Sequence, residues 1–328
     1  MFNKIAQSVI GLTMIVAMSF MLTGCAGSAP AAPAPAPAAT PAPAPAPAPA
    51  PTPTPAPAPA PTPAAAPEET SGEITVISRE EGSGTRVAFV EIVDITIDGN
   101  DNTTVEAVVA PGTSVMMTNV AENPLAIGYA STGVALADDR VNVLSIDGVA
   151  PTVENMLNGT YAIQRPFLIG YNTDEGLSDL AADFVDFIFS AQGQEVVANR
   201  GYVPVEADAD DYTGGGLTGT IVLNGSSSLY SLMQHLSTAY RELNPGVTID
   251  VHGAGTGHGI SAARDGLADI AMSSRDLRES ELEFMTPLVI AIDGIAVIAH
   301  PDNTTDNLSL EQVRDIFLGE VTRWENTR

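Results

Sequence analysis

Ile77-Ser78-Arg79-Glu80-Glu81-Gly82-Ser83-Gly84-Thr85-Arg86 joins an apolar β-type run, residues 73–78 (EITVIS), to a stretch of helical spacing, residues 83–93, through a turn of small residues. The same succession of strand, small-residue turn and helix recurs twice. One copy follows residues 220–223 (TIVL) through Gly225-Ser226-Ser227-Ser228 into a helix carrying Leu229, Leu232, Met233, Leu236 and Tyr240. The other follows residues 247–251 through Gly253-Ala254-Gly255-Thr256-Gly257 into a helix at 260–264. Strands alternating with helices in this way mark an α/β fold. Residues 269–272, 289–292 and 295–299 are further strand candidates, and 179–199 is a helix with Leu180, Phe184, Phe187 and Ile188 on one face. Ser309 and Gln312 make a capping box for a helix through Leu318, with Gly319 at its C-cap.

A helix N-terminus carries unpaired backbone N–H groups and a partial positive charge, and Ser or Thr hydroxyls add donors. Three such turns converging would wrap an oxyanion; each taken singly reads better as a plain helix cap. Arg79 stands four residues before Ser83, where its planar fork can grip two oxygens of a tetrahedral anion. Its alternative is a surface pair with Glu80 or Glu81. The glycines at 253, 255, 257 and 259 do not have the spacing of a dinucleotide fingerprint, and no lysine follows them as in a phosphate-binding loop of nucleotide hydrolases. A nucleotide site is therefore excluded.

The chain has 328 residues, with 13 basic against 40 acidic side chains and Lys4 as its one lysine. That balance makes nucleic acid and anionic membrane surfaces poor partners, so an anion site has to be local. Four scattered histidines and one cysteine suggest no metal site, and no cofactor is implied. Residues 1–24 have the basic start and short apolar core of a signal peptide. Leu22-Thr23-Gly24-Cys25 resembles a bacterial lipobox, which makes Cys25 the lipidation site. From 26 to 67 the chain is almost only Ala, Pro and Thr, a polyproline II stalk that spans on the order of 130 Å when extended. Residues 206–219, acidic and then Gly-rich, read as a flexible connector.

Beyond these patterns the chain resembles the phosphate-binding proteins of phosphate ABC transporters, from about Glu73 to Trp324. Arg79-Glu80-Glu81-Gly82-Ser83-Gly84-Thr85 is similar to that family's R-x-x-x-S-G-T anion motif. Ile127-Gly128-Tyr129, Ile146-Asp147-Gly148-Val149, Arg165-Pro166 and the run from Gln192 to Pro204 resemble its C-terminal half. Gly225 to Leu229, Gly253 to Ile260, Asp269 to Arg275, Asp293-Gly294 and Ile316 to Trp324 resemble its N-terminal half. The order is exchanged: the segment 73–205 comes first, then the connector 206–219, then 220–328. This implies a circular permutation, or else a truncated tandem whose neighbouring units complete one another between chains.

The resemblance implies a two-lobed periplasmic-binding-protein-like α/β fold of type II, with the ligand in the cleft between lobes. Permutation requires Glu73 and Trp324 to lie together in one lobe. The implied phosphate ligands are Arg79, Ser83, Gly84 and Thr85 from one lobe and Ser227, Ser228, Thr256 and Ser274 from the other. Ser274 occupies a position where several members carry an Asp that accepts the ligand's proton; Asp293 is the candidate replacement, or else a turn or hinge aspartate. Arg86 and Arg275 either add positive potential or form structural ion pairs, and His258 is expected at the cleft rim. The expected protein is a monomeric, lipid-anchored binding protein on the outer face of the cytoplasmic membrane, delivering inorganic phosphate to the permease of an importer. Sulfate, molybdate or phosphonate binding and a sensing role are the alternatives. A phosphohydrolase would need a metal cluster, or a nucleophile beside a base, and neither is legible.

Overall fold

The computed structural model describes residues 69–327, so the expected signal peptide, Cys25 and the expected stalk at 26–67 lie outside the described residues. Among the described residues two large hydrophobic cores organise the chain, with a small third cluster of Ile260, Ala263, Ala271 and Met285. The first gathers Ile74, Phe89, Met116, Tyr129 and Ile163 from early positions with Ile295, Val297, Phe317 and Trp324 from late ones. The second draws on the stretch between, including Phe167, Phe184, Leu223, Met233, Tyr240 and Ile270.

A path of hydrogen-bonded strands runs through both lobes in the order Val247–His252, Gly219–Gly225, Ile270–Ser273, Gln164–Asn172, Met285–Ala299, Ala126–Ser131, Thr75–Arg79 and Val108–Ala110. The three strands at either end are parallel, as helical crossovers allow, while the two central strands run antiparallel to their neighbours. Met285–Ala299 serves both lobes. Its first part pairs with Gln164–Asn172 and its last with Ala126–Ser131, with a register shift between Val289 and Ala291. The two runs expected at 289–292 and 295–299 are thus one strand. Asp293 and Gly294 stay extended because they pair with Arg165 and Gln164 in the ladder.

The helices follow their apolar spacing. In Tyr230–Leu243 the residues Leu232, Met233, Leu236 and Tyr240 are all fully buried. Ser309 and Gln312 make both capping-box bonds to the helix Leu310–Leu318, and Gly319 takes the left-handed conformation that ends it, φ 82°. The helix expected over 179–199 is two, Asp179–Phe189 and Ala191–Asn199. Ser190 adopts an extended conformation, its Oγ donating to the Phe187 carbonyl at 2.6 Å and accepting from Gly193 N–H at 3.3 Å. Its hydroxyl thus competes with the helix for backbone partners and caps the second segment.

The connector is held to the second lobe. Tyr212 donates its hydroxyl to Asp183 at 2.5 Å, beside Tyr240, which donates to the same carboxylate oxygen at 2.6 Å, and Asn244 donates to Tyr212 at 3.0 Å. The Tyr212 ring also packs edge-on against Phe187. Early and late positions meet in the first lobe. Ile74 N–H donates to the Thr322 carbonyl at 2.8 Å, Trp324 N–H to that of Gly72 at 3.0 Å, and the Trp324 indole to Leu125 at 3.0 Å. No helix among the described residues is long and apolar enough to cross a membrane.

Candidate oxyanion site

Arg79 ends its strand with only 1% of its surface exposed, so its charge has to be satisfied from within the protein. Nε and Nη2 fork onto the two oxygens of Glu80, each at 2.8 Å. Nη1 donates to Thr113 Oγ1 at 3.3 Å and Nη2 also donates to Ser227 Oγ at 2.9 Å. The Glu80 pair and the site-facing role are therefore present together, and the guanidinium is interior rather than superficial. Burial pushes the Glu80 carboxyl up, but the hydrogen bonds and charge of Arg79, with the N–H of Gly112, outweigh this and hold it below the ordinary carboxylate range.

Six hydroxyls gather in front of Arg79. Thr85 Oγ1 lies 2.7 Å from Ser228 Oγ and 3.4 Å from Ser274 Oγ. Thr113 Oγ1 is 3.2 Å from both Ser227 Oγ and Ser228 Oγ, and Thr256 Oγ1 is 3.5 Å from Ser274 Oγ. Thr85 and Thr113 belong to the lobe of Arg79, whereas Ser227, Ser228, Thr256 and Ser274 come from the other. Gly84 allows this approach: a Cβ there would fall onto Thr256 Oγ1 and within 2.7 Å of Ser274 Oγ. The lobes also touch directly, Gly257 N–H donating to the Gly82 carbonyl at 3.2 Å.

Three helices open on this cluster with a Gly-Thr pair. Gly84–Ile92 is capped by Ser83, whose Oγ accepts from Arg86 N–H at 3.3 Å. Ser83 is thus a helix cap beside the cluster, and among the described residues its one side-chain hydrogen bond is to its own helix. Thr113–Ala121 and Thr256–Arg264 follow Gly112 and Gly255, both with positive φ (97° and 106°) and neither with a side-chain cap. Thr113 N–H donates instead to Ser227 Oγ at 3.3 Å and Gly257 N–H to the Gly82 carbonyl, so each of these helix starts bonds across to the other lobe. Thr113 was missed in the sequence, although Gly112-Thr113 after a strand is the signal carried by Gly255-Thr256. The serine turn behaves differently: Ser227 to Leu229 form a turn, and the helix starts at Tyr230.

The remaining expectations fall outside the cluster. Asp293 is fully buried, but its Oδ1 accepts from Ser131 Oγ, Thr132 N–H and Thr132 Oγ1 at 2.9, 3.2 and 2.9 Å, and its Oδ2 from Arg165 at 3.1 Å. None of its hydrogen bonds reaches the cluster hydroxyls. Burial holds its carboxyl above the ordinary range, an effect that Arg165 and the Ser131 and Thr132 donors offset only in part. Arg86 pairs with Asp101 at 2.6 Å and Arg275 forks onto Glu281 at 2.8 and 2.7 Å, so both are structural ion pairs. They line a groove of about 810 Å³ outside the Gly82–Gly257 contact. His258 is exposed, next to that contact. The enclosed cluster offers a guanidinium, helix N-termini and hydroxyls that donate or accept, a set suited to a compact oxyanion.

Two lobes closing on a buried polar cluster define a binding protein of the periplasmic type, and a family model described as a PBP superfamily domain matches residues 67–192 and 210–327. Phosphate-binding protein PstS 2 of Streptococcus pneumoniae TIGR4 is 41% identical over 269 residues, which cover 81% of this chain and 91% of that protein. A solved structure of a phosphate-binding protein of a phosphate ABC transporter from the same strain is 40% identical, covers 78% of this chain and all of its own, and superposes with a TM-score of 0.63. PstS of Bacillus subtilis is 34% identical over 134 residues, 40% of this chain and 42% of that protein. The chain belongs to the phosphate-binding protein family of this superfamily.

Proposed function

We propose that this chain captures inorganic phosphate between its two lobes and delivers it to the membrane permease of an ABC importer, without chemical change to the ligand. The observation that carries the reading is the buried Arg79 facing hydroxyls from both lobes, so that a single small anion can be held by both at once. Calorimetry of the purified protein with phosphate, sulfate and arsenate tests it. Phosphate binding in the micromolar range or tighter is expected; binding of sulfate alone would assign another oxyanion, and no binding of any would remove the reading.

The same proposal includes the exchanged order of the halves. It is supported by the pairing of Ile74 with Thr322 and of Gly72 with Trp324, which closes one lobe from two distant pieces within a single chain. The match to the pneumococcal relative over 91% of its length fits a relative built in the same order, and the match to two fifths of the Bacillus protein fits one half aligning at a time. Anchoring through Cys25 on the outer face of the cytoplasmic membrane completes the reading. Cys25→Ser is expected to release the protein from membranes or leave it unprocessed, and unchanged fractionation would oppose lipidation.

A further inference from the structure

Arg165 lies where the two lobes join, and its nitrogens are used unequally. Nη2 donates to Asp293 at 3.1 Å, Nη1 donates to the backbone carbonyl of Ser274 at 3.0 Å, and Nε is buried with no hydrogen-bond partner among the described residues. Asp293 faces it directly in the antiparallel ladder of the long strand. Through Oδ1, Asp293 gathers Ser131 and Thr132 of the first lobe, and Thr132 Oγ1 in turn accepts from Gly294 N–H at 3.2 Å. A continuous series of charge-assisted bonds thus runs from Ser131 and Thr132 in one lobe, through Asp293 and Arg165 at the junction, to Ser274 in the other.

Ser274 is the end of that series and a member of the hydroxyl cluster. It follows the last residue of Ile270–Ser273, just past the end of that strand's ladder, and it is fully buried. Its Oγ sits between Thr85 and Thr256, and its N–H donates to Thr256 Oγ1 at 3.3 Å. Arg165 is what satisfies its carbonyl. Without that donor a buried acceptor is left unpaired, and the turn is free to rotate the hydroxyl away from the cluster. Stability alone does not account for Arg165: a buried ion pair is ordinarily no more stabilising than apolar residues of the same volume, and here one nitrogen goes unsatisfied.

We propose that Arg165 is a positioning residue for ligand binding, acting through Ser274 and anchored at the lobe junction by Asp293. The inference rests on the reading of the cluster as a phosphate site. Its test is a double-mutant cycle on the purified protein, titrating inorganic phosphate into the unaltered chain, Ser274→Ala, Arg165→Lys and the double variant. Lysine keeps the charge opposite Asp293 but has no fork to span both the carboxylate and the Ser274 carbonyl. Arg165→Lys is expected to weaken phosphate about tenfold with Ser274 present and less than about twofold in the Ser274→Ala background. Thermal melts without phosphate check that each variant folds, and Arg165→Gln takes the place of Arg165→Lys if the latter does not. Equal losses in the two backgrounds would overturn the proposal, as would unaltered affinity in Ser274→Ala. No phosphate binding by the unaltered chain would overturn the functional reading and this one together, an outcome distinct from additive losses.

Discussion

Arg79 Nη2 donates to Ser227 Oγ at 2.9 Å, joining a strand end of one lobe to a turn of the other. A ligand that takes over this bond inherits a charged donor in an enclosed place, where such donors are worth most. Arg79→Ala is therefore expected to weaken phosphate binding by about 2 kcal/mol or more. Calorimetry of the variant measures it, and affinity like that of the unaltered protein would place the ligand elsewhere.

Asp293 gives a sharper expectation about selectivity. Among the described residues all of its hydrogen bonds go to Arg165, Ser131 and Thr132, so it is expected to act structurally rather than as the acceptor for the proton of hydrogen phosphate. Asp293→Asn is expected to lower stability by about 3 kcal/mol, because it leaves Arg165 buried without its counter-charge. Phosphate and sulfate affinities should change by the same factor. Competition titrations decide the matter: a loss confined to phosphate would return Asp293 to the site.

How much of this was legible depended on whether the signal was local. Arg79, Gly84, Thr85 and Thr256 were singled out because a strand, a turn and a helix N-terminus lie consecutively in the chain, whereas Ser274 came only from the family resemblance. Thr113 has the same local form, but its strand Val108–Ala110 is only three residues long and exposes Val108 and Val109 (45% and 55%), so no apolar alternation announced it. Ser190 was passed over because the apolar face of 179–199 continues across it, whereas its hydroxyl, competing for backbone, decides the break. The place of Asp293 was hidden for a different reason. Its partners Ser131 and Arg165 are far from it in sequence, and only the ladder of the long strand brings them together.

The connector is also more ordered than its composition suggests. Tyr212 reaches Asp183 and Asn244, and removing its hydroxyl deletes a bond to a carboxylate while leaving the ring against Phe187. Tyr212→Phe is expected to cost about 1.5 kcal/mol in stability. It should also speed proteolytic nicking within 206–219, since the melt and the cleavage rate report the same detachment. An unchanged melt and cleavage rate would mean that the ring contact alone holds the segment.

A pH dependence follows from Glu325. The N–H of Gly72, its own backbone N–H and Arg323 hold its carboxyl down from the ordinary 4.5 to about 2. A carboxyl more acidic in the folded protein than in the unfolded chain stabilises the fold above its ordinary range, and that contribution fades as pH falls from about 4.5 towards 2. The protection factors of the Gly72 and Trp324 amides, taken against the unfolded chain at each pH, are expected to fall over this window. In Glu325→Gln that pH-dependent fall should be absent.

The strand Met285–Ala299 contributes Ile290 and Ala291 to one core and Ile295, Ala296, Val297, Ile298 and Ala299 to the other. Melting either lobe therefore strips the other of its central hydrogen-bonding neighbour. Although the described residues build two large cores, they are expected to behave as one cooperative unit: heat or denaturant should take both apart in a single transition, and neither half is equipped to persist as a folded fragment once the shared strand has let go.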